Sequence, residues 1–290
     1  MSPYIFALAS NFSFGLGSQI FTKFSRKVSP LWMTAFKDSA GCILFLITAL
    51  ILGGFTIIPL KYLSAFFLSG IVGLALGDLM LLNSFAKMGP GRTMMIYSFQ
   101  PLYLGVSSYF LFGQTIDKTK FLSIIFFVIC LFIFALESYK KSGHWNVKTM
   151  LIALCAVTMD GTGVLLSRYA FDGTGISVIE GNFYRSLASI FAFAIILNVF
   201  KIKFFAKLKR MTMKTKLLAF SGAVLGVYLA LVFYLSAVKT GNLAAVSSVS
   251  ITSALFASIF ECIFTKKLPS KYLIISFIFF IIGMYLLLGS

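Results

Sequence analysis

Ten apolar runs of about 20 residues each divide this chain, and that is the length a helix needs to cross the hydrocarbon core of a bilayer. They cover roughly 3–22, 30–52, 61–86, 91–113, 119–137, 148–169, 176–199, 217–238, 242–264 and 271–289, separated by connections carrying Lys, Arg, Gly and Pro. None alternates in apolarity as the strands of a membrane barrel would. The least marked break is Lys87-Met88-Gly89-Pro90-Gly91-Arg92, so a nine-span reading is the rival to ten. Composition agrees with the runs: 59% of residues are hydrophobic and 11% charged, against roughly a quarter charged in a soluble domain. A water-soluble enzyme, a DNA-binding module and a disordered region are thereby excluded.

The net charge of +17 lies mostly in the short connections, where it reads as topology charge beside lipid headgroups and not as a nucleic-acid surface. Connections after the odd-numbered runs hold 18 Lys and Arg, seven of them in the stretch 201–216, and those on the other side hold five. Loops rich in Lys and Arg stay cytoplasmic, so this imbalance predicts the long basic connection inside and both termini outside a cell membrane. The N-terminus lacks a basic leader and a cleavage site and is read as a retained first helix. Cys42, Cys130, Cys155 and Cys262 stand singly in apolar runs and read as buried packing residues. With His144 alone in a polar connector, no Cys/His metal site can be assembled, and no metal or cofactor is expected.

An internal repeat runs through the chain. Gly15-Leu16-Gly17 answers Gly161-Thr162-Gly163, Phe36-Lys37 answers Tyr184-Arg185, Ala86-Lys87-Met88-Gly89 answers Val238-Lys239-Thr240-Gly241, and Phe112 answers Phe264, at spacings of 146 to 152. Five spans per copy is an odd number, so the second copy must be threaded upside down relative to the first. The expected fold is therefore an all-α membrane protein of ten transmembrane helices in a 5+5 inverted repeat, with copies at residues 1–140 and 141–290.

On these features the chain resembles the EamA-type transporters of the drug/metabolite transporter superfamily. The residues carrying the likeness are Phe14-Gly15 with Lys23, Ser29-Pro30 with the mid-helix Lys37, Ala86-Lys87-Met88-Gly89, Ser98-Phe99-Gln100-Pro101, and their second-copy counterparts. The resemblance implies that spans one to four and six to nine surround a central cavity, with spans five and ten at the periphery. The chain departs from the family at Phe14, where Trp is common, at Phe112-Gly113-Gln114 and Phe264-Thr265-Lys266, where Leu-Gly-Glu is common, and at Ser253, which stands where Pro101 would be matched. Termini outside the cell also run against the usual arrangement.

Ionised side chains within spans cost roughly 2.5–3.5 kcal/mol each on insertion scales, so they persist where they pair or face a wet cavity. Lys37 and Asp78 fall at similar depth from one membrane face, and Arg185 and Asp160 at similar depth from the other, at about 1.5 Å per helical residue. Each copy thus offers an ion pair. Two readings follow: the pairs close the two ends of an alternating-access pathway, or they are static links between helices. Asp38, turned about 100° from Lys37, can face the interior only at its edge. Glu180 and Glu261 fall near span ends and read as interfacial.

The substrate-binding or gating set is Lys37, Asp78, Asn83, Tyr97, Gln100, Asp160, Tyr184, Arg185, Tyr228 and Thr252, with Asn11 and Tyr234 as further cavity candidates. Pro101 frees a carbonyl in mid-span, which bends the helix or meets a ligand. The function these features favour is secondary transport of a small polar metabolite or amphipathic compound, driven by a gradient or by exchange, since no GxxxxGK[ST] motif is present. Two alternatives stay open: a translocator of phosphorylated or lipid-linked anions held by Lys37 and Arg185, and a non-transporting scaffold. An enzyme is not expected, because no nucleophile-base pair stands at depth. The partners are a small-molecule substrate and the lipid bilayer, with no nucleic acid, as a monomer or a homodimer.

Overall fold

The computed structural model describes residues 2–88, 93, 96–97, 99–142, 147–250, 252–266 and 268–289, and throughout them the regular structure is helical. The helices are α1 (Pro3–Lys27), α2 (Pro30–Ile51), α3 (Leu60–Met88), α4 (Gln100–Phe112), α5 (Lys118–Ser142), α6 (Val147–Thr174), α7 (Val178–Val199), α8 (Phe204–Arg210), α9 (Met213–Thr240), α10 (Leu243–Ser250), α11 (Ser253–Thr265) and α12 (Lys271–Leu288). Among the described residues seven helical stretches are long and apolar enough to cross a membrane: α2, α3, α6, α7, α9, the run Leu243–Phe260 and α12. The connector around His144, the Gly89-Pro90-Gly91-Arg92 break and the side chain of Glu261 lie outside the described residues.

Local chemistry starts the helices where the sequence placed them. Ser2 and Ser29 precede Pro3 and Pro30, whose fixed φ suits a first helical residue, and each Ser side chain accepts from the backbone of the first turn. Ser177 and Glu180 form a reciprocal capping box at the start of α7. Ser270 caps α12 by a simple bond, its side chain accepting from Leu273 N at 3.1 Å. Within the basic connection 201–216, Phe204–Arg210 fold into the short helix α8. Its Phe204 stacks on Trp32 at 5.7 Å and accepts a hydrogen bond from Trp32 Nε1 at 3.3 Å.

Two departures from regular α-helix recur at matching places. α3 widens to a π-helix over Gly70–Gly77, and α9 does so over Val224–Leu229. The span after each is interrupted. α4 begins after Phe99 (φ −76°, ψ −14°), and α10 and α11 part at Thr252 (φ −75°, ψ 1°), 153 residues on. Pro101 accounts for the first interruption. At the second no proline is present, and the Asn11 side chain fills the gap by donating to Val249 O at 2.6 Å and to Thr252 Oγ1 at 2.9 Å. Both spans then end on a left-handed residue, Gly113 (φ 64°) and Lys266 (φ 53°); Lys266 adopts without glycine the conformation its counterpart reaches with it.

The packing exchanges helices between the two halves of the chain. α1 lies on α9, α10 and α11, and α6 lies on α3. Both crossings are made at glycines: Gly17 against Gly226 in the π-segment of α9, and Gly163 against Gly73 in the π-segment of α3. A methyl group at Gly163 would sit 2.9 Å from Gly73 Cα, so backbones meet there directly. α5 and α12 pack mainly on one another, with Phe127 and Phe280 5.9 Å apart. The outer surface is apolar, with Ile47, Leu50, Phe110, Ile195 and Ile281 all exposed, as lipid contact requires. Cys42 and Cys130 are buried, but Cys155 faces outward; a thiol is small and apolar enough for either place.

Candidate functional site

α1, α2, α3, α6, α7 and α9, with the interrupted ends of α4, α10 and α11, enclose a cavity of about 110 Å³. That is room for several water molecules or one small polar group. Six residues of the sequence-based set line it: Lys37, Asp78, Tyr97, Gln100, Asp160 and Arg185. Asn11 and Tyr234 line it too, with Ser10, Phe14, Ser250 and Ser253, which sequence reasoning did not single out as ligands. The other four lie elsewhere. Asn83 is half-buried on α3 outside the cavity wall. Tyr184 packs on Phe55, Phe66 and Phe183, Tyr228 shares a hydrogen bond with Thr48 Oγ1 at 2.7 Å, and Thr252 holds Asn11 at the interruption.

The four ionised residues were expected in two pairs on opposite sides of mid-depth, and instead all four line one cavity. The first pair forms and the second does not. Lys37 donates to Asp78 Oδ2, and also to Asp38 Oδ1 at 2.8 Å. Asp38 is buried despite its angular offset, because α2 packs against α7 on that side, and the long lysine arm folds back along its own helix to meet it. Its second oxygen, Oδ2, accepts from Ser189 Oγ at 2.5 Å. Lys37 is 4% exposed and Asp78 21%, so of this pair Asp78 is the more open.

In the second half Asp160 takes a different partner. Its Oδ2 accepts from Gln100 Nε2 at 2.6 Å, and Gln100 Oε1 in turn accepts from Ser247 Oγ at 3.2 Å. Arg185, 1% exposed, donates from Nε to Ser69 Oγ at 2.9 Å, and Ser69 is fixed by Gly163 O at 2.6 Å and Ser167 Oγ at 2.8 Å. Among the described residues no carboxylate lies within ion-pair distance of Arg185, and its Nη1 is buried without a hydrogen-bond partner. Two further residues of the cavity wall hold an atom in that condition, Tyr97 at OH and Ser250 at Oγ. No grouping of His, Cys, Asp and Glu suited to a metal ion occurs among the described residues.

One end of the helix stack is tied shut. There Gly241 lies against Pro3, Arg168 Nη1 donates to Val238 O at 2.8 Å and Gly241 O at 3.1 Å, and Lys239 Nζ donates to Gly175 O at 3.0 Å and Ile176 O at 2.6 Å. Glu180, placed near a span end by its position, caps α7 there and accepts from Thr56 N at 2.6 Å. Gln114 Oε1 accepts from Leu243 N at 2.9 Å, and Asn242 Nδ2 donates to Thr115 O at 3.2 Å.

The model of the EamA-like transporter family matches residues 1–136 and 147–289. Twenty-nine chains of solved structures also match. One of them, described only as "Crystal structure of protein", superposes with a TM-score of 0.76 over 98% of this chain and 94% of its own, at 14% identity, a likeness of fold alone. No curated protein matches. With seven helices fit to cross a membrane and this match, the chain is a multi-pass integral membrane protein.

Proposed function

We propose that this chain, which belongs to the EamA-like transporter family, is a secondary transporter that moves a small polar or amphipathic compound by alternating access. The observation that carries the reading is a cavity lined from both halves that gathers ionisable side chains among apolar ones, Lys37 and Asp78 from one half and Asp160 and Arg185 from the other. Ionised groups are retained at that depth at several kcal/mol in total, on the order of 2.5–3.5 each, which a packed scaffold has no need to spend.

The same reading takes the chain as ten crossings in a 5+5 inverted repeat, with α4 completed by residues before Gln100 and α10 joined to α11 as one interrupted span. Three pairs support it: the π-segments in α3 and α9, the interruptions at Phe99 and Thr252, and the left-handed ends at Gly113 and Lys266. The swapped glycine crossings, Gly17 on Gly226 and Gly163 on Gly73, are the contacts about which one half would rock against the other. The bonds at the end near Pro3 and Gly241 support a conformation shut on the side of the termini, which the distribution of Lys and Arg puts outside the cell.

A carrier of phosphorylated compounds is less well supported, because Lys37 already serves two carboxylates. The test is cysteine accessibility. In a background with the four native cysteines replaced, Ser10→Cys and Ser253→Cys are labelled with a membrane-impermeant thiol reagent in right-side-out and in inside-out vesicles. Alternating access predicts labelling of both positions from both sides, and labelling from a single side or from neither overturns it.

A further inference from the structure

We infer that Arg185 Nη1, Tyr97 OH and Ser250 Oγ form a subsite for a carboxylate on the transported compound, a proposal that rests on the transporter reading above. Arg185, Tyr97 and Ser250 line the same cavity, and each carries a buried polar atom, Nη1, OH and Oγ in turn, that has no hydrogen-bond partner. A buried donor left unmade is costly, more so on a guanidinium, and such groups in a native site call for a ligand. Three of them around one cavity form a donor set with a single shared demand, an acceptor of hydrogen bonds that carries negative charge. Arg185 is held for this work from behind: its Nε is fixed on Ser69, which is itself fixed on α6, and its Nη1 stays unspent.

The charges nearby select which anion. Lys37 and Arg185 stand with Asp38, Asp78 and Asp160, two cations with three carboxylates, so the cluster carries one negative charge when all are ionised. A phosphate ester, at about −1.5 to −2 near pH 7, would add heavily to that excess. A carboxylate adds one charge and offers planar oxygens that a guanidinium nitrogen and two hydroxyls can meet. The cavity of about 110 Å³ has room for a group of that size.

The experiment measures unfolding temperature of the purified full-length protein with a panel of small carboxylates (aliphatic, aromatic, α-hydroxy, α-keto and α-amino acids). Their primary amides and inorganic phosphate serve as controls. At least one carboxylate is expected to stabilise the protein where its amide and phosphate do not. Tyr97→Phe and Ser250→Ala are each expected to weaken that response about fivefold or more in affinity. Both should leave the ligand-free unfolding temperature equal or higher, since neither hydroxyl holds a structural partner.

The subsite is overturned if no carboxylate stabilises, if phosphate does so equally, or if both variants bind as the parent does. Two-sided thiol labelling with no carboxylate response removes the subsite and keeps the transporter. One-sided labelling removes the transporter, whatever the panel gives.

Discussion

Lys37 and Arg185 occupy corresponding places in the two halves, yet one is saturated and the other is not. Lys37 holds two carboxylates, one of them on its own helix, and keeps no free role. Arg185 is held by a serine on one edge and leaves Nη1 unpaired in the cavity. A duplicated position has thus been turned into a structural link in one half and an open donor in the other. The carboxylates account for it: Lys37 has Asp38 at the following position and Asp78 from α3, whereas Arg185 is followed by Ser186 and has no carboxylate within ion-pair distance among the described residues.

The sharpest way to break this contrast is to remove the saturated cation. Lys37→Met leaves Asp38 and Asp78 buried with an unmet charge and is expected to cost about 3–5 kcal/mol, read by thermal or denaturant unfolding in detergent. Adding Asp78→Asn to that variant should recover a large part of the loss. Equal stability of Lys37→Met and the parent would show that the lysine does not bind its carboxylates as described.

Next in size is Gly70→Ala, whose methyl group would run into the backbone carbonyl of Arg185. Backbone cannot step aside as a side chain can, so a loss of about 1–3 kcal/mol is expected. Gly226→Ala, where Phe21 and the Gly17 backbone are met, tests the corresponding π-segment. Loss of the expected transport activity in both, at stabilities that still permit folding, would tie the two segments to one motion.

A smaller effect belongs to Asp160→Asn. The amide oxygen still accepts from Gln100, so stability should change by less than about 1 kcal/mol while the cluster loses its excess negative charge. A large loss would mean that Arg185 depends on Asp160 through space.

The smallest is outside the cavity, at the pair of Asp117 with Lys120. The side-chain hydrogen bond from Lys120 holds the Asp117 carboxyl below its ordinary value. That contribution is present above the usual carboxylate range and is lost as pH falls through the lowered value. Because Asp117 is half-exposed, Asp117→Asn should change stability by no more than about 0.5 kcal/mol at neutral pH.

Much of the fold was legible because apolar length and a common offset are one-dimensional signals. Seven of the runs return, among the described residues, as helices long and apolar enough to cross a membrane, and the paired glycines at 15–17 and 161–163 and the two mid-helix cations keep their places on helices. Depth along a helix axis was legible as well, which is why Lys37 and Asp78 meet. Azimuth was not. Tyr184 and Tyr228 have the right depth and face aromatic packing, Asp38 has the wrong nominal angle and is reached by a flexible arm, and Asp160 finds Gln100 across a helix interruption. The π-segments carry no residue signature beyond a glycine-rich stretch in α3. The interruption at Thr252 lacks the proline that marks its counterpart, so Asn11, far away in sequence, is what reveals it.

The division of labour between the two cations is tested most directly by the carboxylate-induced rise in unfolding temperature in two charge-conserving variants. Lys37→Arg should retain the rise, because a structural link tolerates another cation. Arg185→Lys should lose it, because a lysine ends in a single nitrogen and cannot stand both where Nε meets Ser69 and where Nη1 stands. A rise that persists in Arg185→Lys and vanishes in Lys37→Arg would contradict the account.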